Sequence, residues 1–136
     1  MRTILLIEDI KSMRNAIERI LTKAGYRVVV AGDGEEALHT VQQSIPDVIL
    51  LDLMLPKLAG QEVLKALKRN PATVHIPVIV LTSLSQKNEY RLRSDGAAGF
   101  LEKGDLLNNP GPLLNTLREV MDDHFRRQHS GAAFKV

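Results

Sequence analysis

The sequence contains no cysteine, which excludes disulfides and thiol chemistry. It also lacks a hydrophobic run long enough to cross a membrane. The first apolar run, Ile4 to Ile7, meets charge at Glu8 and Asp9, too early for a signal peptide. No block of basic residues stands out beyond Arg126 and Arg127. With a net charge of only +2, the pI near 9.0 does not imply nucleic-acid binding. There is no internal repeat and no low-complexity segment. These absences lead to the expectation of a cytoplasmic protein that binds neither membrane nor nucleic acid directly. The 136 residues, 44% hydrophobic and 25% charged, suit one globular domain with a real core.

The stretch from Val48 to Gly60 organises the chain. Val48, Ile49, Leu50 and Leu51 read as a strand buried on both faces, of the kind found inside a parallel sheet. Asp52 then falls at the carboxyl end of that strand, the end at which open α/β sheets bind ligands. An unpaired carboxylate there is costly, so it calls for a cation or a reaction.

The rest of the chain alternates in the same way. Strands are predicted at Ile4 to Ile7, Tyr26 to Ala31, Val78 to Leu81 and Ala98 to Glu102. The first helix carries Ile10, Met13, Ile17, Ile20, Leu21 and Ala24 on one stripe and stops at Gly25. Asp33 and Gly34 read as a turn before a second helix with Ala37, Leu38 and Val41 inward. A third helix runs from Gly60 to Arg69 with Val63, Leu64 and Leu67 inward, and Asn70 and Pro71 stop it. Ser85 is the expected N-cap of a polar fourth helix reaching Arg93. Pro112 opens the last helix, whose apolar side is Leu113, Leu114, Leu117, Val120, Met121 and Phe125, and a loose tail is expected from about His129. Five strands alternating with five helices imply an α/β fold, a doubly wound parallel sheet covered on both faces.

Four strands end in polar residues that such a sheet brings to one edge: Glu8 and Asp9, Asp52, Thr82 and Ser83, and Lys103. Crowded carboxylates repel and raise one another's pKa unless a cation intervenes. Mg2+ fits, since it takes oxygen ligands from one or two carboxylates and shares phosphate oxygens. An Asp forms an aspartyl phosphate, and Lys103 and Thr82 offer donors to the phosphoryl oxygens.

These residues, together with Met54, Leu55, Pro56 and Gly60 and the run from Gly96 to Lys103, resemble the receiver domain of two-component response regulators. The resemblance covers Thr3 to Met121, with the domain at 2–122 and the end of the last helix and a C-terminal tail at 123–136. It implies the flavodoxin-like strand order 2-1-3-4-5. It implies a phosphorylation-dependent signalling switch rather than an enzyme with turnover. Asp52 is then the phosphoacceptor, Asp9 a direct Mg2+ ligand, Glu8 a ligand through water, and the Met54 carbonyl a further ligand. Thr82 moves toward the phosphoryl group, Lys103 pairs with it, and Phe100 is the aromatic that turns inward. The implied partners are a histidine kinase or histidine phosphotransfer protein. Output passes to a downstream protein or to an output domain of a longer chain, and homodimerisation through the fourth helix, fifth strand and fifth helix is consistent with the family.

The chain departs from the family pattern at several points. Gly104 stands where a cis proline is usual, which leaves the loop after Lys103 freer to move or to sit differently. Lys57, Leu58 and Ala59 replace a run that usually holds an Asp. Phe100 lacks the hydroxyl of the commoner Tyr, and Leu106 to Pro112 is a long segment. Met54 and Leu84 are expected to flank the phosphoryl group and slow attack by water.

Each site residue has a plainer reading. Strand-end Asp is commonly a cap or turn residue, Glu8 and Asp9 serve to cap a helix, and Lys103 is a surface lysine. Their joint placement at strand ends outweighs these. An aspartate-nucleophile phosphatase would carry a second Asp at position 54, which is Met. A nucleotide- or flavin-binding module would have a glycine-rich loop where Glu8 and Asp9 stand. The remaining alternative is a degenerate receiver acting as a phosphorylation-independent binding module. His39, His75, His124 and His129 show no ligand spacing and are assigned no site.

Overall fold

The computed structural model describes residues 1–83 and 89–133. The strands are β1 (Thr3–Ile7), β2 (Arg27–Ala31), β3 (Val48–Asp52), β4 (Val78–Thr82) and β5 (Gly99–Glu102). The helices are α1 (Lys11–Lys23), α2 (Gly34–Gln43), α3 (Gly60–Arg69), α4 (Glu89–Ser94) and α5 (Gly111–Ala133). The strands form one five-stranded sheet in the order β2-β1-β3-β4-β5, parallel throughout. Each connection crosses over through a helix, as parallel neighbours require. Among the described residues no helix is long and apolar enough to cross a membrane.

Every residue of β3 and β4 is buried, because helices cover both faces at the centre. Alternation along the strands splits the core in two. Ile4, Leu6, Leu50 and Ile79 pack with Ile17 and Leu21 of α1 and Leu113, Leu117 and Met121 of α5. Leu5, Ile7, Ile49 and Val80 pack with Ala37 and Val41 of α2, Val63 and Leu64 of α3, and Leu92 of α4.

The expected elements form, with differences at their ends. Ile10 and Ala24 leave the buried stripe: Ile10 becomes the N-cap of α1 with 52% of its surface exposed, and Ala24 is the exposed C-cap. Gly25 ends α1 at φ 98, a conformation that favours glycine. Asp33 caps α2 by accepting the Glu36 N–H at 2.8 Å, so Gly34 is the first residue of the helix instead of part of a turn. Helix α5 runs to Ala133, past His129, where a loose tail was expected. Phe125 is not buried in its apolar side. It lies 44% exposed beneath the guanidinium of Arg2, 5.4 Å from the ring centroid, a cation–π contact. Ser85 and Leu84 lie outside the described residues.

Two close contacts fix how helices meet the sheet. A Cβ at Gly60 would stand 2.5 Å from the Leu53 Cα and 2.6 Å from the Asp52 carbonyl oxygen. Only glycine lets the start of α3 rest on the backbone at the end of β3. On α3, Lys68 extends past Gly96 in the α4–β5 turn and donates from Nζ to the carbonyls of Val74 at 3.0 Å and Ile76 at 2.6 Å. This ties α3 to the segment that leads into β4. Replacing Gly60 with Ala forces backbone apart in a packed region, so Gly60→Ala is expected to cost about 2 kcal/mol of stability. Urea unfolding checks this, and a midpoint unchanged from the wild type would contradict the contact.

Candidate phosphoacceptor and metal site

The parallel register brings the strand ends together. Ile7 pairs with Leu51, Asp52 with Leu81, and Thr82 with Glu102. The residues just beyond or at those ends, Glu8, Asp9, Asp52, Thr82 and Lys103, therefore share one edge of the sheet. Glu8 and Asp52 are fully buried, and Thr82 is 4% exposed. Carboxylate oxygens of Glu8, Asp9 and Asp52 lie within 4.8 Å of one another.

Lys103 is the cation among them. Its Nζ stands 2.7 Å from Glu8 Oε1 and donates to Asp52 Oδ2 at 2.8 Å. The Met54 N–H donates to Asp52 Oδ1 at 3.0 Å, which fixes the carboxylate at both oxygens. Lys103 reaches these groups although Gly104 follows it, and the space around Gly104 is open. Its backbone is also held, since the Lys103 N–H donates to the Thr82 carbonyl at 3.0 Å.

One ammonium does not balance three carboxylates. Burial pushes the Glu8 carboxyl up to about 7, and its contact with the Asp52 carboxylate adds to the rise while Lys103 opposes it. Burial disfavours the charge on Lys103, but the hydrogen bonds and charges of Asp52 and Glu8 outweigh it and raise the Lys103 pKa. Glu8 Oε1 is paired with the Lys103 ammonium at 2.7 Å. A cluster of three hard carboxylate ligands with more negative charge than one ammonium balances fits a divalent cation such as Mg2+.

The capping interpretation of Glu8 and Asp9 is weak here. The N-cap of α1 is Ile10, and no side chain caps that helix. Glu8 Oε2 accepts the Ile10 N–H at 3.3 Å, a long contact.

The structure adds contacts that the sequence did not reveal. Arg14 donates from Nη1 to the Glu8 carbonyl at 3.0 Å, steadying the β1–α1 corner. Lys57 adopts φ 65, rare for a residue with a side chain, and its Nζ lies 3.4 Å from Asp33 Oδ2. Arg93 of α4 stands 4.9 Å above the ring of Phe100, which packs against the core. None of these contacts has a sequence signal, because each depends on how the chain turns between the partners. Met54, two residues after Asp52, is 62% exposed.

The response regulator receiver domain family matches residues 4–108, three-quarters of the chain and all the strand ends described above. The chain belongs to the response regulator receiver domains. Among relatives, this receiver domain is 39% identical over 138 residues to the response regulator PleD of Caulobacter vibrioides, covering 98% of this chain but 30% of PleD. It is 32% identical over 103 residues to the polar-differentiation response regulator DivK of Brucella anthropi, covering 75% of this chain and 84% of DivK. Among solved structures, the chemotaxis response regulator CheY4 of Vibrio cholerae superposes with a TM-score of 0.80 at 34% identity, covering 88% of this chain and 98% of that one. The receiver domain thus spans under a third of PleD and most of DivK.

Removing the charge at Asp52 leaves Glu8 as the one buried carboxylate paired with Lys103, with Asp9 beside them, and relieves the Glu8–Asp52 repulsion. Asp52→Asn is therefore expected to stabilise the metal-free protein by about 1–2 kcal/mol. Urea unfolding in the presence of a chelator measures this, and a loss of stability would show that the Lys103 contact outweighs the repulsion.

Proposed function

We propose that this receiver domain is a phosphorylation switch in which Asp52 accepts a phosphoryl group from a phosphohistidine on a histidine kinase or phosphotransfer protein. The observation that carries this reading is the junction of Glu8, Asp9 and Asp52 with Lys103 at one sheet edge, with Asp52 buried and held at both oxygens. A carboxylate oxygen of Asp52 attacks phosphorus, the donor's N–P bond breaks, and an O–P bond forms. The electron pair of the broken bond returns to the imidazole, which takes up a proton. Lys103 Nζ, now 2.8 Å from Asp52 Oδ2, meets the added phosphoryl oxygens, and the hydroxyl of Thr82 supplies a further donor. Glu8, Asp9, Asp52 and the Met54 carbonyl would hold Mg2+, which supplies charge neutralisation to the transferring group.

The chemistry occurs once per activation, so the chain is a switch rather than an enzyme acting on an external substrate. Met54 stands where an aspartate-nucleophile phosphatase would place a second carboxyl, so the general acid of such an enzyme is missing from that position. Phosphorylation must favour another surface by a few kcal/mol to act as a signal. Phe100, with α4, β5 and α5 around it, is the reporting element, and output passes to a partner protein or an attached domain. The same face is the proposed dimer surface.

Incubation with acetyl phosphate and Mg2+ is expected to add one phosphoryl group by intact-mass spectrometry, and none in Asp52→Asn or without Mg2+. No adduct on the wild type would favour a phosphorylation-independent binding module. The exposed Met54 side chain is expected to hinder the hydrolytic water. Met54→Asn should then lose its phosphoryl group faster than the wild type, and equal decay rates would remove that role.

A further inference from the structure

At the opposite edge of the sheet from Asp52, where the strands begin, lies a cavity of about 210 Å³. Its apolar wall includes Pro46, Ile76 and Met121, and its polar lining includes Arg2, His75 and His124. The two histidines are 49 positions apart in sequence, and the fold alone brings them to one pocket. Arg2 is held in place over the ring of Phe125, another wall residue.

Hydrogen-bond donors gather at this corner. Burial, and after it the nearby His75, Lys68, Arg2 and Arg127, push the His124 imidazole pKa down, and Arg127 is itself paired with Asp123 at 3.1 Å. Lys68 is half-buried, and its Nζ reaches the carbonyl of the lining residue Ile76. Its hydrogen bonds go to two carbonyls, with no carboxylate paired to it among the described residues. Burial pushes its pKa down as well. Asp47 is the one carboxylate among the lining residues, and its Oδ2 accepts the Thr3 N–H at 2.7 Å. The Arg2 guanidinium and the ring N–H groups of His75 and His124 thus offer donors on one side of a small, partly apolar cavity, the arrangement that receives an oxyanion.

We propose that this cavity binds a small organic oxyanion, a phosphate or carboxylate group on a short apolar body. The anionic head lies among Arg2, His75 and His124, and the body lies against Pro46, Ile76 and Met121. The volume suits a small molecule rather than a helix of a partner. A transition metal on the two histidines is disfavoured by the neighbouring Arg2 and Lys68 charges. The site is separate from the carboxylate cluster and does not depend on phosphorylation of Asp52.

The test is NMR of the histidine side chains of the full chain without divalent metal, titrated with phenylphosphonate, benzoate, inorganic phosphate and benzyl alcohol. Phenylphosphonate or benzoate should shift His75 and His124 saturably and raise the titration midpoint of His124. The tighter of the two identifies the head group. Arg2→Gln, on an exposed side chain, should weaken binding roughly tenfold, the loss expected for one charge-assisted hydrogen bond. His124→Gln should do the same, with backbone resonances far from the cavity unchanged. Equal shifts from benzyl alcohol would overturn the anionic head, and equal affinity for inorganic phosphate would overturn the apolar body. No saturable shift from any anion, or undiminished binding by Arg2→Gln, would overturn the site.

Discussion

The ammonium of Lys103, shared between the carboxylates of Glu8 and Asp52, is the contact on which the functional edge depends. Both carboxylates are fully buried, and an uncompensated charge at that depth is expensive. Three strands must therefore end in correct register for the cluster to exist. β1 delivers Glu8, β3 delivers Asp52, and β5 delivers Lys103 from across β4. A slip of one residue in any of them would turn a charged side chain into the apolar core.

That register rests on ordinary forces. The central strands are apolar on both faces, so each must find a helix layer above and below. Leu5 and Ile7 face one layer while Ile4 and Leu6 face the other, so β1 serves both halves of the core at once. The sheet is firm where it carries charge because its neighbours at the centre are fully packed.

The alternating strands and helices, the two-layer core and the strand-end cluster were legible because each leaves a periodic or local mark, whereas the strand order followed only from the resemblance to receiver domains. Four apolar residues before Asp52 and the bounds of α3, from Gly60 to Arg69, can be read directly from the chain. Helix ends were less legible. Ile10 fits the apolar spacing of α1, yet the chain has to turn at that point to bring Glu8 inward, and the turn leaves Ile10 in solvent. Phe125 also fits the spacing of α5, but by that turn the helix is passing the end of the sheet and meets Arg2 instead of the core. The contacts of Arg14, Lys57 and Arg93 join residues by tertiary geometry, and no spacing rule encodes them. His75 and His124 were passed over for the same reason, since ligand spacing along a chain says nothing of two residues joined only by the fold.

Most helix–sheet contacts are made by side chains, which act as cushions: a small shift on one side is absorbed by a change of rotamer. At Gly60 that cushion is missing. The first turn of α3 touches the backbone of Asp52 and Leu53 directly, and the Gly60 N–H donates to the Leu53 carbonyl at 3.2 Å. Any displacement of the chain just after Asp52 is therefore passed to α3 without slack, as one gear tooth drives the next. The third helix is mechanically part of the site, even though none of its side chains reaches the carboxylates.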